Sequence, residues 1–186
     1  IDGTLDLLKC VVNHFRTMST ARGTGGPGGF PCGFDLLVHS DAPPGSGLGS
    51  SSTLVTTLVG LLREWVREPL TNYEIAELTY KIEREDLHIP GGRQDQYAAT
   101  FGGFNFIEFS RDHTIVNPLR IRRELVNELE YSMLLCYTGL SRESANIVLH
   151  QVRSYVEGKA KVVASLDRMK ELTLEMKSAL LRDRVR

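Results

Sequence analysis

One segment rich in glycine and serine constrains this chain more than any other. Residues 41–52 read DAPPGSGLGSSS and lie between a short apolar run, Phe34–His39, and a stretch from Leu54 to Val66 in which apolar residues recur at helical spacing. That recurrence predicts a helix with one buried face. The first N–H groups of a helix have no partner within the helix, and glycines let other atoms approach the backbone closely. The order of strand, loop and helix therefore predicts an anion site at Pro43–Ser52.

The details of the loop exclude several well-known phosphate loops. It contains no G-K-[ST], so it is not a Walker A loop, and the spacing of Gly45, Gly47 and Gly49 departs from the dinucleotide-binding pattern. No H-R-D, D-F-G or G-x-S-x-G motif occurs in the chain, which excludes a protein kinase and a serine hydrolase elbow. The plain alternative is a loop whose serine hydroxyls only cap the following helix.

Periodicity and turn signals predict the remaining elements. We expect helices around Leu5–Phe15, from the T-x-x-E capping box at Thr71 to about Glu85, at Asp95–Phe101, at Ser141–Val156 and at Lys159–Leu181. We expect strands at Phe34–His39, Phe104–Phe109, Thr114–Leu119 and Tyr131–Tyr137. Because helices and strands do not alternate strictly, the predicted fold class is α+β.

Composition argues against several kinds of partner and site. The net charge of the 186 residues is −1, without the basic stripe that is typical of nucleic-acid-binding proteins. Cys10, Cys32 and Cys136 are scattered and form no C-x-x-C pair, so we expect neither a zinc site nor a disulfide framework. The chain shows no run long enough to span a bilayer and no signal peptide, so we expect no membrane partner and a cytoplasmic location.

Two carboxylates stand out downstream of the loop. Glu83 lies in the charged stretch KIERED, and Asp95 follows a Gly-containing segment in GGRQDQ. Taken alone, Glu83 reads as a solvated surface residue and Asp95 as a helix cap. Arg93 could pair with Asp95 or contact a phosphate, and Gln96 reads as local structure. A phosphoryl-transfer site would need one group to hold a metal and another to position the attacking hydroxyl, and two carboxylates would meet that need.

The form PPGSGLGSSS resembles the second motif of the GHMP kinases, a family that includes galactokinase, homoserine kinase, mevalonate kinase and phosphomevalonate kinase. The segment IEREDLHIPGGRQDQYAATFGG resembles the sugar-kinase branch of that family. The resemblance implies that Asp95 is the catalytic aspartate and that Mg²⁺ is held by Ser51, with Ser50 as the alternative, and by Glu83, with Glu85 as the alternative. It also implies that a loop wraps the phosphates of ATP, with contacts from Pro44, Gly45, Ser46, Gly47, Leu48, Gly49, Ser50, Ser51 and Ser52.

The segments FGGFNFIEF and TGLSRESANI add a likeness to the heptose 7-phosphate kinase group of the family. This likeness implies phosphorylation of D-glycero-D-manno-heptose 7-phosphate on its anomeric hydroxyl, giving the 1,7-bisphosphate. Arg142 is the first candidate contact for such a sugar phosphate, and Arg84 and Arg93 are the other candidates. Fucose- or galactose-type sugars remain alternative substrates, and a regulator that binds sugar and ATP without catalysis remains an alternative function.

The resemblance also implies a domain organisation. Residues 1–128 would form the N-terminal ATP-binding domain, with a fold like domain 2 of ribosomal protein S5, and residues 129–186 would begin a ferredoxin-like C-terminal domain. The family's opening substrate segment and its C-terminal Gly-rich motif are not found in this sequence. We therefore expect an incomplete family fold that is inactive if these residues are the whole polypeptide, and a monomer or homodimer.

Overall fold

The computed structural model describes residues 2–23, 26, 28–42, 46–136 and 144–184. The chain divides into two compact units, residues 1–101 with 141–146, and residues 102–140 with 147–186. The described elements combine helices with a small sheet, as the predicted α+β class requires. In chain order they are α1 (Asp6–Arg22), α2 (Ser50–Trp65), α3 (Asn72–Tyr80), a π-helical segment (Lys81–Asp86), α4 (Gln94–Phe101), β1 (Asn105–Phe109), β2 (Thr114–Pro118), α5 (Arg123–Ser132), α6 (Ser144–Val156) and α7 (Ala160–Leu181).

The first unit is held together by apolar faces of α1, α2 and α3. Val11 and Phe15 of α1 are fully buried, as are Val55 and Val59 of α2. These residues recur at intervals of four, which places them on one side of each helix. Their burial fixes α2 in the middle of the unit, so the N-terminus of α2, where the Gly- and Ser-rich loop ends, has a rigid support.

Helix α3 begins at the predicted capping box. The Thr71 hydroxyl accepts a hydrogen bond from the Glu74 amide at 3.3 Å, and the Glu74 carboxylate accepts one from the Thr71 amide at 2.7 Å. The helix then continues into the π-helical segment Lys81–Asp86 rather than ending as a regular α-helix near Glu85. π-Helical turns insert a residue into the helical repeat and often occur at functional sites.

The second unit contains the predicted hairpin. Strands β1 and β2 are antiparallel, with Ile107 opposite Val116 and Phe109 opposite Thr114. The Ser110 amide donates to the His113 carbonyl at 2.9 Å and closes the turn. The predicted strands Phe104–Phe109 and Thr114–Leu119 are thus confirmed as β1 and β2, each to within one residue.

Two predicted strands are wrong in the described residues. Phe34–His39 has no strand pairing, and Leu37 within it is 95% exposed. In the run Tyr131–Tyr137, the first two residues end α5, the next four form no regular element, and Tyr137 lies outside the described residues. A strand needs a neighbouring strand to satisfy its backbone groups, and the only sheet in the described ranges is the β1–β2 pair.

Helix α5 was not predicted from the sequence, in which four of its ten residues are charged. Only Leu125 is buried among its ten residues. Helix α6 begins at Ser144, and the predicted start at Ser141 lies outside the described residues. No helix in the described part of the chain combines the length and the apolar character needed to cross a membrane.

Replacing Thr71 by alanine should lower the free energy of unfolding by about 1 kcal/mol, because the Glu74 amide would lose its acceptor at the start of α3. Urea unfolding followed by circular dichroism measures this change. Thr57→Ala is the control, since Thr57 is an exposed residue inside α2 and caps no helix. Equal stability of the two variants would contradict the role of the capping box.

Candidate active site

The Gly- and Ser-rich loop enters α2 through glycines with left-handed backbone conformations. Gly47 has φ 76° and Gly49, the N-cap residue, has φ 70°. Residues with a Cβ adopt this region reluctantly, which explains glycine at both positions. No side chain caps the helix N-terminus. The amides of the first turn, which begins at Ser50, are therefore not satisfied by a capping side chain, as an anion site at a helix N-terminus requires.

A buried carboxylate lies beside this N-terminus. Glu83 is only 1% exposed. Its Oε1 accepts a hydrogen bond from the Ser51 hydroxyl at 2.8 Å, and its Oε2 accepts one from the Ser52 hydroxyl at 2.7 Å. Burying a carboxylate is costly unless hydrogen bonds compensate for the lost water. The two serines thus join the start of α2 to the π-helical segment that carries Glu83.

Gln96 completes this cluster. Its side chain is fully buried, and its Nε2 donates to Glu83 Oε2 and, at 3.2 Å, to Ser52 Oγ. The carbonyl Oε1 of Gln96 is buried and has no hydrogen-bond partner within the described residues. The interpretation of Gln96 as merely local structure therefore missed its contact with a residue of the site.

Asp95 precedes Gln96 in the first turn of α4 and is exposed. A Cβ placed on Gly49 would lie 3.8 Å from Asp95 Oδ1, so the Asp95 carboxylate lies against the backbone at the end of the loop. Ser51, Glu83 and Asp95, which are far apart in the sequence, are therefore brought together at the N-terminus of α2. This grouping agrees with the set expected from the family resemblance, while the role of each residue stays a prediction.

Arg84 stabilises the segment that leads to Asp95. Its Nη1 donates to the Ile89 carbonyl and its Nε to the Gly92 carbonyl, each at 3.2 Å. Its Nη2 lies 3.9 Å from Glu83 Oε2. A guanidinium has donors in a fixed planar arrangement, which suits simultaneous contacts with two carbonyls and a carboxylate. The sequence had suggested Arg84 only as a candidate contact for a sugar phosphate, whereas here it bonds to backbone carbonyls beside Glu83.

Arg93 does not contact Asp95 in the part of the chain that the structure describes. Its guanidinium pairs with Glu77 Oε1 at 3.2 Å and lies over the Tyr80 ring, 4.5 Å from the centroid. The Tyr97 hydroxyl also donates to Glu77 Oε1. Pairing with Asp95, one of the two alternatives for Arg93, is thus replaced by a contact between Arg93 and α3.

The remaining predicted site residues either lie in the loop or fall outside the residues that the structure describes. Pro44, Gly45 and Arg142 lie outside the described residues. Leu48 is 58% exposed, and the Ser46 hydroxyl is buried without a hydrogen-bond partner in the described ranges.

The two alternative metal ligands, Ser50 and Glu85, line two separate cavities. Ser50 lines an apolar cavity with Leu36 and Leu54. Glu85 is exposed and lines a groove with His14. Of the two carboxylates that were weighed, Glu83 is the one that meets the loop serines.

The described residues contain no cluster of three or more His, Cys, Asp or Glu side chains that would hold a metal ion by themselves. Mg²⁺ sites in nucleotide-dependent enzymes commonly use only one or two carboxylates and take their other ligands from water and phosphate. Ser51 Oγ and Glu83 Oε1 supply two oxygens of the kind that Mg²⁺ prefers, next to a helix N-terminus that suits phosphate. The residues present therefore fit a divalent ion that arrives with a nucleotide.

Comparison with known proteins agrees with this geometry. Residues 6–103 match the family model described as the GHMP kinases N terminal domain. The chain belongs to the GHMP kinase family. Over 182 residues it is 44% identical to D-glycero-alpha-D-manno-heptose 7-phosphate kinase of Campylobacter jejuni subsp. jejuni serotype O:2. The matched residues cover 97% of this chain and 51% of that protein. The family predicted from the motifs is thus confirmed.

Two further proteins to which the chain is similar carry the names of sugar kinases. A crystal structure of a D-glycero-D-manno-heptose 1-phosphate kinase from Bacteriodes thetaiotaomicron superposes with a TM-score of 0.73 at 39% identity, over 100% of this chain and 51% of that one. The bifunctional fucokinase/GDP-fucose pyrophosphorylase of Arabidopsis thaliana is 28% identical over 80% of this chain and 14% of that protein. The chain spans about half the length of the two heptose phosphate kinases that it matches.

Replacing Gly91 by alanine should disturb the contacts of Arg84, because a Cβ at Gly91 would lie 2.5 Å from Arg84 Cζ. Moving the guanidinium weakens its bonds to the Ile89 and Gly92 carbonyls, at a cost on the order of 1–3 kcal/mol in the free energy of unfolding. Urea unfolding measures that cost.

Gly92→Ala is the matched control, because nothing lies within 4 Å of a Cβ placed there. Both substitutions restrict the unfolded chain equally, so the difference between the two variants in the free energy of unfolding reports the contact with Arg84. If Gly91→Ala proved as stable as Gly92→Ala, the close packing of Arg84 on Gly91 would be refuted.

Proposed function

We propose that this chain carries the catalytic part of an ATP-dependent sugar-phosphate kinase. The proposed reaction transfers the γ-phosphoryl group of ATP to the anomeric hydroxyl of D-glycero-D-manno-heptose 7-phosphate and yields the 1,7-bisphosphate. The observation that carries the proposal is the meeting of Ser51, Glu83 and Asp95 at the N-terminus of α2. The 44% identity to a heptose 7-phosphate kinase supports the choice of substrate.

The loop from Ser46 to Ser52 is proposed to bind the phosphates of ATP. The N-terminus of α2 has no side-chain cap, and its dipole favours negative charge. The buried Ser46 hydroxyl, which has no hydrogen-bond partner in the described ranges, could donate to a phosphate oxygen. Because the net charge of the chain is −1, these local dipoles must supply the attraction that the overall charge does not.

Ser51 and Glu83 are proposed to hold Mg²⁺ together with the nucleotide. When bound, Mg²⁺ would neutralise negative charge that develops on the transferred phosphoryl group. The Glu83 carboxylate is already held in place by buried donors, so it would need little reorganisation to accept the ion. The exposed Ser51 hydroxyl would turn its lone pairs toward the ion.

Asp95 is proposed to accept a hydrogen bond from the sugar hydroxyl and to hold that oxygen in line with the γ-phosphorus. Its exposure leaves it accessible to a substrate, and its carboxylate lies beside Gly49 at the end of the phosphate loop. Arg142 is the proposed contact for the phosphate of the sugar. Arg93 could share that role only after leaving its ion pair with Glu77.

The fucose-type sugars form a second candidate class of substrate, since the chain also resembles the bifunctional fucokinase of Arabidopsis thaliana.

We also propose that the complete fold has the two family domains, with residues 1–128 in an S5-like first domain and 129–186 at the start of a ferredoxin-like second domain. A cytoplasmic enzyme with access to ATP is part of the same proposal.

Replacing Asp95 by asparagine should lower kcat for sugar phosphorylation by roughly 100-fold or more. The neutral amide of asparagine cannot accept the proton of the sugar hydroxyl, and it lacks the negative charge with which the carboxylate would orient that hydroxyl. A coupled assay of ADP release across heptose 7-phosphate, heptose, fucose, galactose and mevalonate measures turnover and ranks the substrates. Intact-mass measurement of the protein from its host, against the 20.8 kDa of these residues, establishes the polypeptide to be assayed.

Circular dichroism and urea unfolding provide the control, since Asp95 is exposed and its replacement should leave the fold intact. Undiminished turnover of Asp95→Asn would eliminate Asp95 as the catalytic carboxylate. Absence of turnover with every sugar, by a wild-type polypeptide longer than these 186 residues, would eliminate the proposed reaction.

Replacing Ser51 by alanine should raise the Mg²⁺ concentration needed for half-maximal turnover, because one of the two protein oxygens offered to the ion is lost. Titration of Mg²⁺ at fixed ATP and sugar measures this shift. If Ser50→Ala shifted the Mg²⁺ dependence and Ser51→Ala did not, the metal-facing hydroxyl would be that of Ser50.

A further inference from the structure

Gln96 is a fully buried amide in a position that the proposed chemistry has not used. It lies directly after Asp95 in the first turn of α4, and its Nε2 contacts both Glu83 Oε2 and Ser52 Oγ. Neither contact is local in the sequence, since the three residues come from three different helical segments. The amide is therefore part of the cluster that fixes Glu83.

The contacts on Glu83 are divided unequally between its two oxygens. Oε2 accepts hydrogen bonds from Ser52 and Gln96, whereas Oε1 accepts one from the exposed Ser51 hydroxyl. Two buried donors on one oxygen oppose rotation of the carboxylate about its terminal bond, which is otherwise a soft torsion. Oε1 is thereby kept beside Ser51 Oγ.

We infer that Gln96 is a positioning residue, which holds Glu83 so that Oε1 and Ser51 Oγ face a divalent cation together. The inference deepens the proposed function and rests on its assignment of Mg²⁺ to this pair. Gln96 itself touches neither metal nor substrate in this scheme. Groups that bond to a metal ligand in this way typically change metal affinity by about 10- to 100-fold when they are removed.

A role in filling space does not explain the choice of glutamine. Its Oε1 is buried without a partner in the described residues, and such an atom costs about 1–3 kcal/mol. Methionine has a similar length and shape and would fill the same space without that cost. The Nε2 donor is therefore the feature that distinguishes glutamine here. The reverse orientation of the amide would turn its carbonyl toward a carboxylate, which is unfavourable.

The chain offers a matched control one helical turn away. Ser52 and Thr56 are four residues apart on α2, and Thr79 lies four residues before Glu83. The Thr56 hydroxyl donates to Thr79 Oγ1 at 3.4 Å in a buried contact between the same helices. Thr56→Val removes a buried hydrogen bond from the same interface but leaves Glu83 and its donors in place.

The experiment measures binding of a fluorescent ADP analogue as Mg²⁺ is titrated, with EDTA defining binding without the ion. The coupling between the two ligands is the increase in binding of the ADP analogue that Mg²⁺ causes. In Gln96→Met the Mg²⁺ concentration that gives half of this increase should rise about 10-fold or more, while binding of the analogue in EDTA stays as in wild type. Thr56→Val should lower the free energy of unfolding measured in urea without changing that Mg²⁺ concentration. In turnover assays, Gln96→Met should raise KM for Mg-ATP more than KM for the sugar.

Gln96→Asn serves if the methionine variant does not fold, because shortening the side chain withdraws the amide from Glu83 and should shift Mg²⁺ coupling in the same direction. A folded Gln96 variant with unchanged Mg²⁺ coupling would overturn the inference, as would an equal shift in Thr56→Val or no Mg²⁺ effect in the wild-type protein. If the wild-type protein binds the ADP analogue in an Mg²⁺-dependent way but phosphorylates no sugar, the proposed function is refuted. The role of Gln96 is then decided by the Mg²⁺ dependence of analogue binding in the Gln96 variants alone.

Discussion

The buried carboxylate of Glu83 is the interaction around which the first unit is organised. An uncompensated carboxylate in this position would cost several kcal/mol, so the surrounding helices must bring hydrogen-bond donors to it. Ser51 and Ser52 come from the first turn of α2, and Gln96 comes from the first turn of α4. Satisfying this one group therefore fixes how two helix N-termini lie relative to each other, and with them the loop and Asp95.

The π-helical segment explains how a charged stretch can provide such a group. In KIERED, the side chains of Ile82 and Glu83 are both buried although they are adjacent. The wider turn is closed by the Leu87 amide, which donates to the Ile82 carbonyl five residues earlier. Arg84 then turns back to the carbonyls of the following segment. π-Helical turns often occur at functional sites, and here polar contacts support the turn that carries Glu83.

Local pattern was enough to predict some parts of this molecule and not others. The apolar repeat of α2 and the capping box at Thr71 are local features, and both helices formed where expected. Phe34–His39 looked like a strand, yet pairing depends on a partner that no local pattern specifies. The grouping of Ser51 with Glu83 came from family resemblance, since their separation of 32 residues carries no spacing signal. The contacts of Gln96 had no signal in the sequence at all.

The chemical character of the donors around Glu83 also matters for a site that must attract a cation. A lysine or arginine in direct contact would neutralise the carboxylate and compete with a divalent ion for it. Serine hydroxyls and an amide stabilise the negative charge without cancelling it. Arg84 forms an ion pair with Oε2 at 3.9 Å, beyond hydrogen-bond distance, and directs its Nε and Nη1 hydrogen bonds to backbone carbonyls, so its contact with Glu83 falls on Oε2 and not on Oε1. The negative charge of Glu83 is thus kept available on the side where Ser51 is exposed, next to a helix N-terminus that favours phosphate.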